Sequence, residues 1–115
     1  MNILVTYAIA AERVRIDFAG CQVRYCETGI GKVNAALAVY AAVREQRPDF
    51  VLNVGTAGSA TQAVGSILAC GRFLDRDMEK VKEFGVPYWY DFSADLARID
   101  WRRRAEYSLV CNTRD

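Results

Sequence analysis

The stretch PDFVLNVGTAGS, Pro48 to Ser59, constrains the fold of this chain more than any other. Pro48 cannot continue a helix, because its ring removes a donor and clashes with the preceding turn. Phe50, Val51, Leu52 and Val54 form a short apolar run with β-branched members, which predicts a strand covered on both faces. Gly55, Thr56, Ala57, Gly58 and Ser59 then offer little but backbone and hydroxyls. In an open α/β sheet, ligands bind at the carboxyl ends of such strands. A tip without bulk lets a ligand reach bare N–H groups, although the same residues also make an ordinary tight turn.

Two more strand tips precede it. Asn2 to Tyr7, NILVTY, predicts a first strand, followed from Ala8 by a helical stretch of at most a turn or two before Gly20. Glu12 then stands just beyond a strand tip, where partial loss of water raises a carboxyl's proton affinity. As a first-turn residue it would instead be steadied by the helix dipole. Gln22 to Glu27, QVRYCE, alternates as a more exposed strand. TGIGK leads from it into an alanine-rich helix over Lys32 to Arg47, with Val33, Leu37, Tyr40 and Val43 on one stripe beside Ala36 and Ala41. The alanines predict close packing on the sheet.

The turn at Gly29, Ile30 and Gly31 can present N–H groups to an anion or a sugar hydroxyl, or can be purely structural. It is not a phosphate loop, because Cys26 and Val33 stand where glycine and Ser/Thr are required. It is not a dinucleotide fingerprint either, because Asn34 replaces the third glycine.

After the central strand, Ser66 to Cys70, SILAC, predicts another short strand. Asp75 and Asp77, two apart, would face one way on an extended segment and suit a hard cation; the dense charge around them equally describes a solvated connection. From Phe84 to Phe92 runs an aromatic cluster with Tyr88, Trp89 and Tyr90, suited to a subunit interface, a ligand wall or local core cover. Ser93 and Asp95 predict the cap of a helix carrying Leu96, Ile99 and Trp101, which Arg102, Arg103 and Arg104 end. Glu106 to Cys111, EYSLVC, begins a last strand.

Composition narrows the function classes. With 115 residues, 52% of them hydrophobic, and only 2 prolines, the chain is at most one ordinary globular domain. A net charge of +1 argues against a nucleic-acid partner. No apolar run is long enough to predict a membrane span, and Glu12 inside the N-terminal apolar window argues against a signal peptide. The cysteines, Cys21, Cys26, Cys70 and Cys111, include no CxxC pair and have no histidine to join them, so no metal site is expected. Cys26, Cys70 and Cys111 stand in apolar runs, where a reduced thiol acts as a small hydrophobe in a cytoplasmic chain.

Taken together, the blocks resemble the purine nucleoside phosphorylase and nucleosidase superfamily, most nearly the 5′-methylthioadenosine/S-adenosylhomocysteine nucleosidases. VTYAIAAE, TGIGKVNAALAV, PDFVLNVGTAGS and VGSILACGRFLDRDM match family blocks in order and spacing across residues 3 to 78. YSLVCNTRD is similar to a later family strand, with Arg114 at a glycine position, and Ser66 replaces an aspartate of the fourth block. The resemblance implies a three-layer α/β nucleoside phosphorylase-like domain with a central mixed sheet. Residues 1–115 would form its N-terminal half as a single incomplete domain. It implies cleavage of an N-glycosidic bond of a purine nucleoside or thionucleoside, without a cofactor, by a homodimer.

The site residues follow from the same resemblance. Glu12 would activate the attacking water, and Thr56, with the backbone of Ala57 and Gly58, would lie by that water and the base. Ala8, Ile9 and Ile30 would line the ribose and 5′ side, and Thr28 offers a further hydroxyl. Met78 and Phe84 would reach across a dimer to close the neighbour's 5′ pocket. Family chains are longer, and their second half supplies a Met-Glu pair for the ribose diol and an aspartate for the leaving purine; Met78-Glu79 belongs to an earlier block and is not that pair. Hexameric phosphorylases carry an arginine where this chain has Asn53, so water rather than phosphate is the expected nucleophile, with phosphorolysis or a non-catalytic binding module as alternatives.

Overall fold

The computed structural model describes residues 1–16, 19–97 and 110–113. Ile99, Trp101, Arg102 to Arg104, Glu106 to Leu109 and Arg114 lie outside the described residues. The chain divides into two compact units, Met1–Gly58 and Ser59–Asp115.

In the first unit, β1 (Asn2–Tyr7) is the middle strand of a three-stranded sheet, between β2 (Gln22–Glu27) and β3 (Phe50–Asn53). Both pairings are parallel, with Thr6 opposite Cys26 on one side and Asn53 on the other. Every residue of β1 from Ile3 to Tyr7 is buried, and Ile3, Leu4 and Val5 are 2% exposed or less. Side chains alternate across a strand, so a continuous buried run means that both faces are covered. That property, expected for Phe50 to Val54, belongs to β1 instead. β3 pairs only with β1 among the described residues, and Val51 is 42% exposed.

α1 (Lys32–Glu45) crosses from β2 back toward β3. It starts after Gly29 and Gly31, whose φ angles of 80° and 96° are open to glycine and strained for other residues. Asn34 Nδ2 donates to Ile30 O at 2.8 Å and closes that turn. Cys26 Sγ meets Ala38 O, and Arg24 Nη2 donates to Ala42 O and Gln46 O, so the helix lies against β2 along Ala38 and Ala42. The alanines expected to make this contact, Ala36 and Ala41, are exposed instead. The larger stripe points elsewhere: Val33, Leu37 and Tyr40 are 71%, 65% and 66% exposed.

The second unit is built on β4 (Arg72–Asp75), which pairs antiparallel with β5 (Trp89–Asp91) and parallel with β6 (Val110–Thr113). The strand expected at Ser66 to Cys70 is displaced to β4, and residues 66–70 are irregular. Asp75 ends β4 and caps α2 (Arg76–Glu79), accepting from the N–H groups of Asp77 and Met78 at 3.0 and 3.1 Å. Asp75 and Asp77 therefore do not share one extended face, and no cluster of three or more candidate metal ligands occurs among the described residues. At the start of α3 (Ser93–Leu96), the N-cap residue Phe92 makes no side-chain cap, and Asp91 Oδ1 accepts from Ser93 N at 2.9 Å. The Ser93 hydroxyl first, and then the Ser93 N–H, hold the Asp91 carboxyl below its ordinary value.

Cys70 is disulfide-bonded, which corrects its reading as a reduced apolar filler; Cys21 and Cys26 are free thiols. A disulfide requires two backbones to meet at a defined separation, which spacing along a sequence does not reveal. No helix among the described residues is long and apolar enough to cross a membrane.

Because β1 carries the buried core of the first unit, Leu4→Ala is expected to destabilise the chain by about 2–5 kcal/mol. Val51→Ala, on the exposed edge strand, is expected to cost under about 1.5 kcal/mol. Urea denaturation of both variants checks the ordering, and equal losses would contradict β1 as the core.

Candidate active site

All three strands of the first unit run the same way, so their carboxyl ends share one edge of the sheet. That edge carries Ala8 and Ile9 after β1, Thr28 and Ile30 after β2, and Thr56, Ala57 and Gly58 after β3. The main chain ties the tips together. Thr28 N and Gly29 N donate to Tyr7 O and Ala8 O at 2.8 and 3.0 Å, and Val54 N donates to Thr6 O at 2.8 Å. β1 thus hydrogen-bonds both neighbours beyond the regular ladder.

Glu12 ends a single 3-10 turn, Ala10–Glu12, closed by Glu12 N donating to Ile9 O at 2.9 Å. The segment after it is moored to β2. Ile16 N donates to the Tyr25 hydroxyl at 2.9 Å, and the Arg13 guanidinium lies 5.0 Å from the centre of the Tyr25 ring. Tyr25 was not singled out from the sequence. An aromatic in an alternating strand gave no sign that it would hold the loop bearing Glu12.

The Glu12 carboxylate reaches the tip of β3. Thr56 Oγ1 donates to Glu12 Oε1 at 2.9 Å, and Thr56 N approaches the same oxygen at 3.4 Å. A Cβ on Gly55 would stand 4.0 Å from both carboxylate oxygens, an ordinary contact distance, so an alanine would fit there.

These contacts decide between the two directions open to the Glu12 titration. The Thr56 hydroxyl, donating to the charged form, is the largest influence and holds the carboxyl below its ordinary 4.5. Burial pulls the other way, and the backbone of Thr56, Ala8 and Ile9 adds to the lowering. Partial desolvation loses because the carboxylate gains donors where it loses water. At neutral pH Glu12 is therefore an ionised acceptor, able to take a proton from a group placed beside it.

The other hydroxyl is differently engaged. Thr28 Oγ1 donates to backbone oxygens, 2.9 Å from Gly29 O and 3.3 Å from Tyr7 O, so its proton stays within the turn. Ile9 and Ile30, 41% and 72% exposed, give the edge an apolar border. Thr56, Ala57 and Gly58 are all exposed. The structure thus brings Glu12 and Thr56 into contact and sets Ala8, Ile9, Thr28 and Ile30 on the same edge.

Met78 and Phe84 belong to the second unit and are 38% and 77% exposed. Around them Trp89, Tyr90 and Phe92 are also exposed at 46%, 40% and 49%. Tyr90 and Phe92 stack with centroids 6.3 Å apart, and Phe92 meets Phe73 at 6.0 Å. The aromatic cluster is a surface feature rather than a cover for a local core.

Comparison with known proteins finds relatives of one name. Over 74 residues the chain is 38% identical to a 5′-methylthioadenosine/S-adenosylhomocysteine nucleosidase of Listeria monocytogenes serotype 4b (strain CLIP80459), covering 63% of this chain and 31% of the relative. Over 93 residues it is 37% identical to a nucleosidase of the same name from Geobacillus sp. (strain WCH70), covering 79% and 38%. A third, from Geobacillus thermodenitrificans (strain NG80-2), is 31% identical over 111 residues, covering 86% and 44%. The chain spans less than half the length of these curated relatives. The model of the phosphorylase superfamily matches residues 8–101, and with its α/β fold and mixed sheet the chain belongs to that superfamily.

Proposed function

We propose that this chain is the N-terminal part of a nucleosidase that hydrolyses the N-glycosidic bond of a purine nucleoside or 5′-thionucleoside. The observation that carries the proposal is the contact between Glu12 and Thr56 at the shared carboxyl edge of three parallel strands. Strand tips with small residues and an ionised carboxylate suit a reaction in which water must be deprotonated under a sugar ring. The names of the relatives supply the substrate class, methylthioadenosine or S-adenosylhomocysteine.

In the proposed step, the bond from ribose C1′ to the purine nitrogen breaks and its electron pair leaves with the base. Water adds its oxygen to the electron-poor C1′, and Glu12 takes the proton that the water loses. Thr56 donates to Glu12 and keeps the carboxylate turned to one place, while its oxygen lone pairs and the Ala57 and Gly58 backbone accompany the water and base. Ala8, Ile9 and Ile30 border the ribose and its 5′ substituent, and Thr28 offers lone pairs to a ribose hydroxyl. The reaction as proposed calls on neither cofactor nor metal. Both units are taken as parts of one domain whose remaining residues hold the ribose diol and protonate the purine. A cytoplasmic setting goes with such a substrate, and a reducing compartment would open the Cys70 disulfide.

Glu12→Gln keeps the size of the side chain and removes the base. Turnover of methylthioadenosine by the complete domain is expected to fall by about 10² or more. The acid limb that Glu12 sets is expected below pH 4.5, since its carboxyl is lowered and loses its charge only as pH falls through that lowered value. Near-equal rates for the two proteins would remove Glu12 from the chemistry.

Water is the proposed nucleophile because Asn53 carries no charge with which to hold a phosphate dianion. Its side chain is instead engaged with Thr6, at 2.9 Å. Incubating the complete enzyme with a purine nucleoside, with and without phosphate, should release free ribose in both cases. Ribose-1-phosphate appearing only with phosphate would establish phosphorolysis.

A homodimer is proposed through the surface from Met78 to Phe92, with Met78 and Phe84 closing the neighbour's 5′ pocket. Exposed aromatics at this density suit the core of an interface. Sedimentation at micromolar concentration is expected to give a dimer, and a folded monomer near 12.9 kDa would contradict it.

A further inference from the structure

The hydroxyl of Thr6 is out of place in its strand. Thr6 is the one buried polar residue among those described, 2% exposed, in a strand whose other buried members are Ile3, Leu4, Val5 and Tyr7. Valine would fill the same space and match the β-branched shape. A buried hydroxyl is costly unless it finds a partner, and the partner here is a side chain. Thr6 Oγ1 donates to Asn53 Oδ1 at 2.9 Å. The two residues stand opposite each other in the β1–β3 register, at the last paired position of the ladder.

From that point β3 has little else to hold it. Val54 N donates to Thr6 O at 2.8 Å, and the chain then runs through Gly55 to Thr56, with Ala57 and Gly58 exposed beyond. Thr56 is the residue whose hydroxyl and N–H meet Glu12. Thr6 thus grips β3 two and three residues before Thr56, by its carbonyl at Val54 and by its side chain at Asn53. Tyr25 fixes the other partner, through Ile16 and Arg13.

We infer that Thr6 and Asn53 are positioning residues, whose half-buried side-chain hydrogen bond sets the direction in which the β3 tip leaves the sheet and so places Thr56 against Glu12. The inference deepens the catalytic reading of Glu12 and rests on it. Asn53 thereby has a definite task besides lacking the charge for phosphate. Its amide accepts the buried proton, and a small displacement at this point moves Thr56 away from an oxygen only 2.9 Å distant. Hydrogen bonds weaken steeply with such displacement.

The test follows the Glu12 carboxyl by carbon-13 NMR during acid titration of the full chain. The groups acting on it are the Thr56 hydroxyl and the backbone of Thr56, Ala8 and Ile9, with no charged side chain among them. Thr6→Val removes the buried donor, Asn53→Ala removes the acceptor from an exposed position, and Thr6→Ser restores a hydroxyl. The wild-type carboxyl is expected to titrate below its ordinary value, to move up toward that value in Thr6→Val and Asn53→Ala, and to return in Thr6→Ser. In the complete enzyme the first two variants are expected to lose about tenfold in kcat with KM little changed, as for a misplaced reacting group. A lowered wild-type midpoint that stays in place in both variants would overturn the inference and leave the catalytic reading of Glu12 intact. A wild-type midpoint at the ordinary value would remove the Glu12–Thr56 contact, and both would fall. Loss of amide dispersion in both Thr6→Val and Asn53→Ala would show a bond that merely holds the fold, and would also overturn the inference.

Discussion

β1 hydrogen-bonds along both edges and buries both faces, and the first unit is arranged around that double demand. A strand in this position must be apolar on both sides and must take parallel neighbours, since crossovers rather than hairpins join it to them. Parallel neighbours in turn point their carboxyl ends the same way. The clustering of Ala8, Ile9, Thr28, Ile30 and Thr56 on one edge is therefore a consequence of how β1 is satisfied. Extra main-chain bonds at the tips, from Thr28, Gly29 and Val54, extend the ladder by a residue or two and bring the loops close.

The electrostatics of Glu12 follow from the same geometry. A carboxylate on a short turn would ordinarily be surrounded by water and indifferent to its neighbours. Here the turn delivers it to the β3 tip, where a hydroxyl and an N–H donate to the same oxygen. The donors favour the charged form by more than partial burial opposes it. A base that stays ionised is ready to accept a proton.

The second unit solves a different problem. β4 takes one antiparallel and one parallel partner, and Asp75 and Asp91 each use a carboxylate to start a short helix. Helices of one turn have few bonds of their own, so such caps supply much of what defines them. Asp75, one of the two acidic residues that suggested a cation site, spends its carboxylate on backbone N–H groups. Among the large apolar residues the unit leaves exposed are the aromatics Phe84, Trp89, Tyr90 and Phe92, beside Val64 and Ile67.

Much of this was legible in the sequence because it rests on local rules. NILVTY, QVRYCE and PDFVLN gave their strands, and TGIGK gave its turn, since positive φ at Gly29 and Gly31 is a local demand. The alanine-rich run gave α1 to within two residues at its end. Order and spacing of the blocks also gave the superfamily. Which strand occupied the centre was beyond local rules: apolar runs in β1 and β3 look alike, and only pairing decides that one is enclosed and the other an edge. Tertiary structure likewise decided which face of α1 meets the sheet, leaving Val33, Leu37 and Tyr40 outward, and where Asp75 spends its carboxylate. It decided the direction of the Glu12 titration as well, because proton affinity depends on donors 44 residues away in the chain that sequence alone does not bring within 2.9 Å.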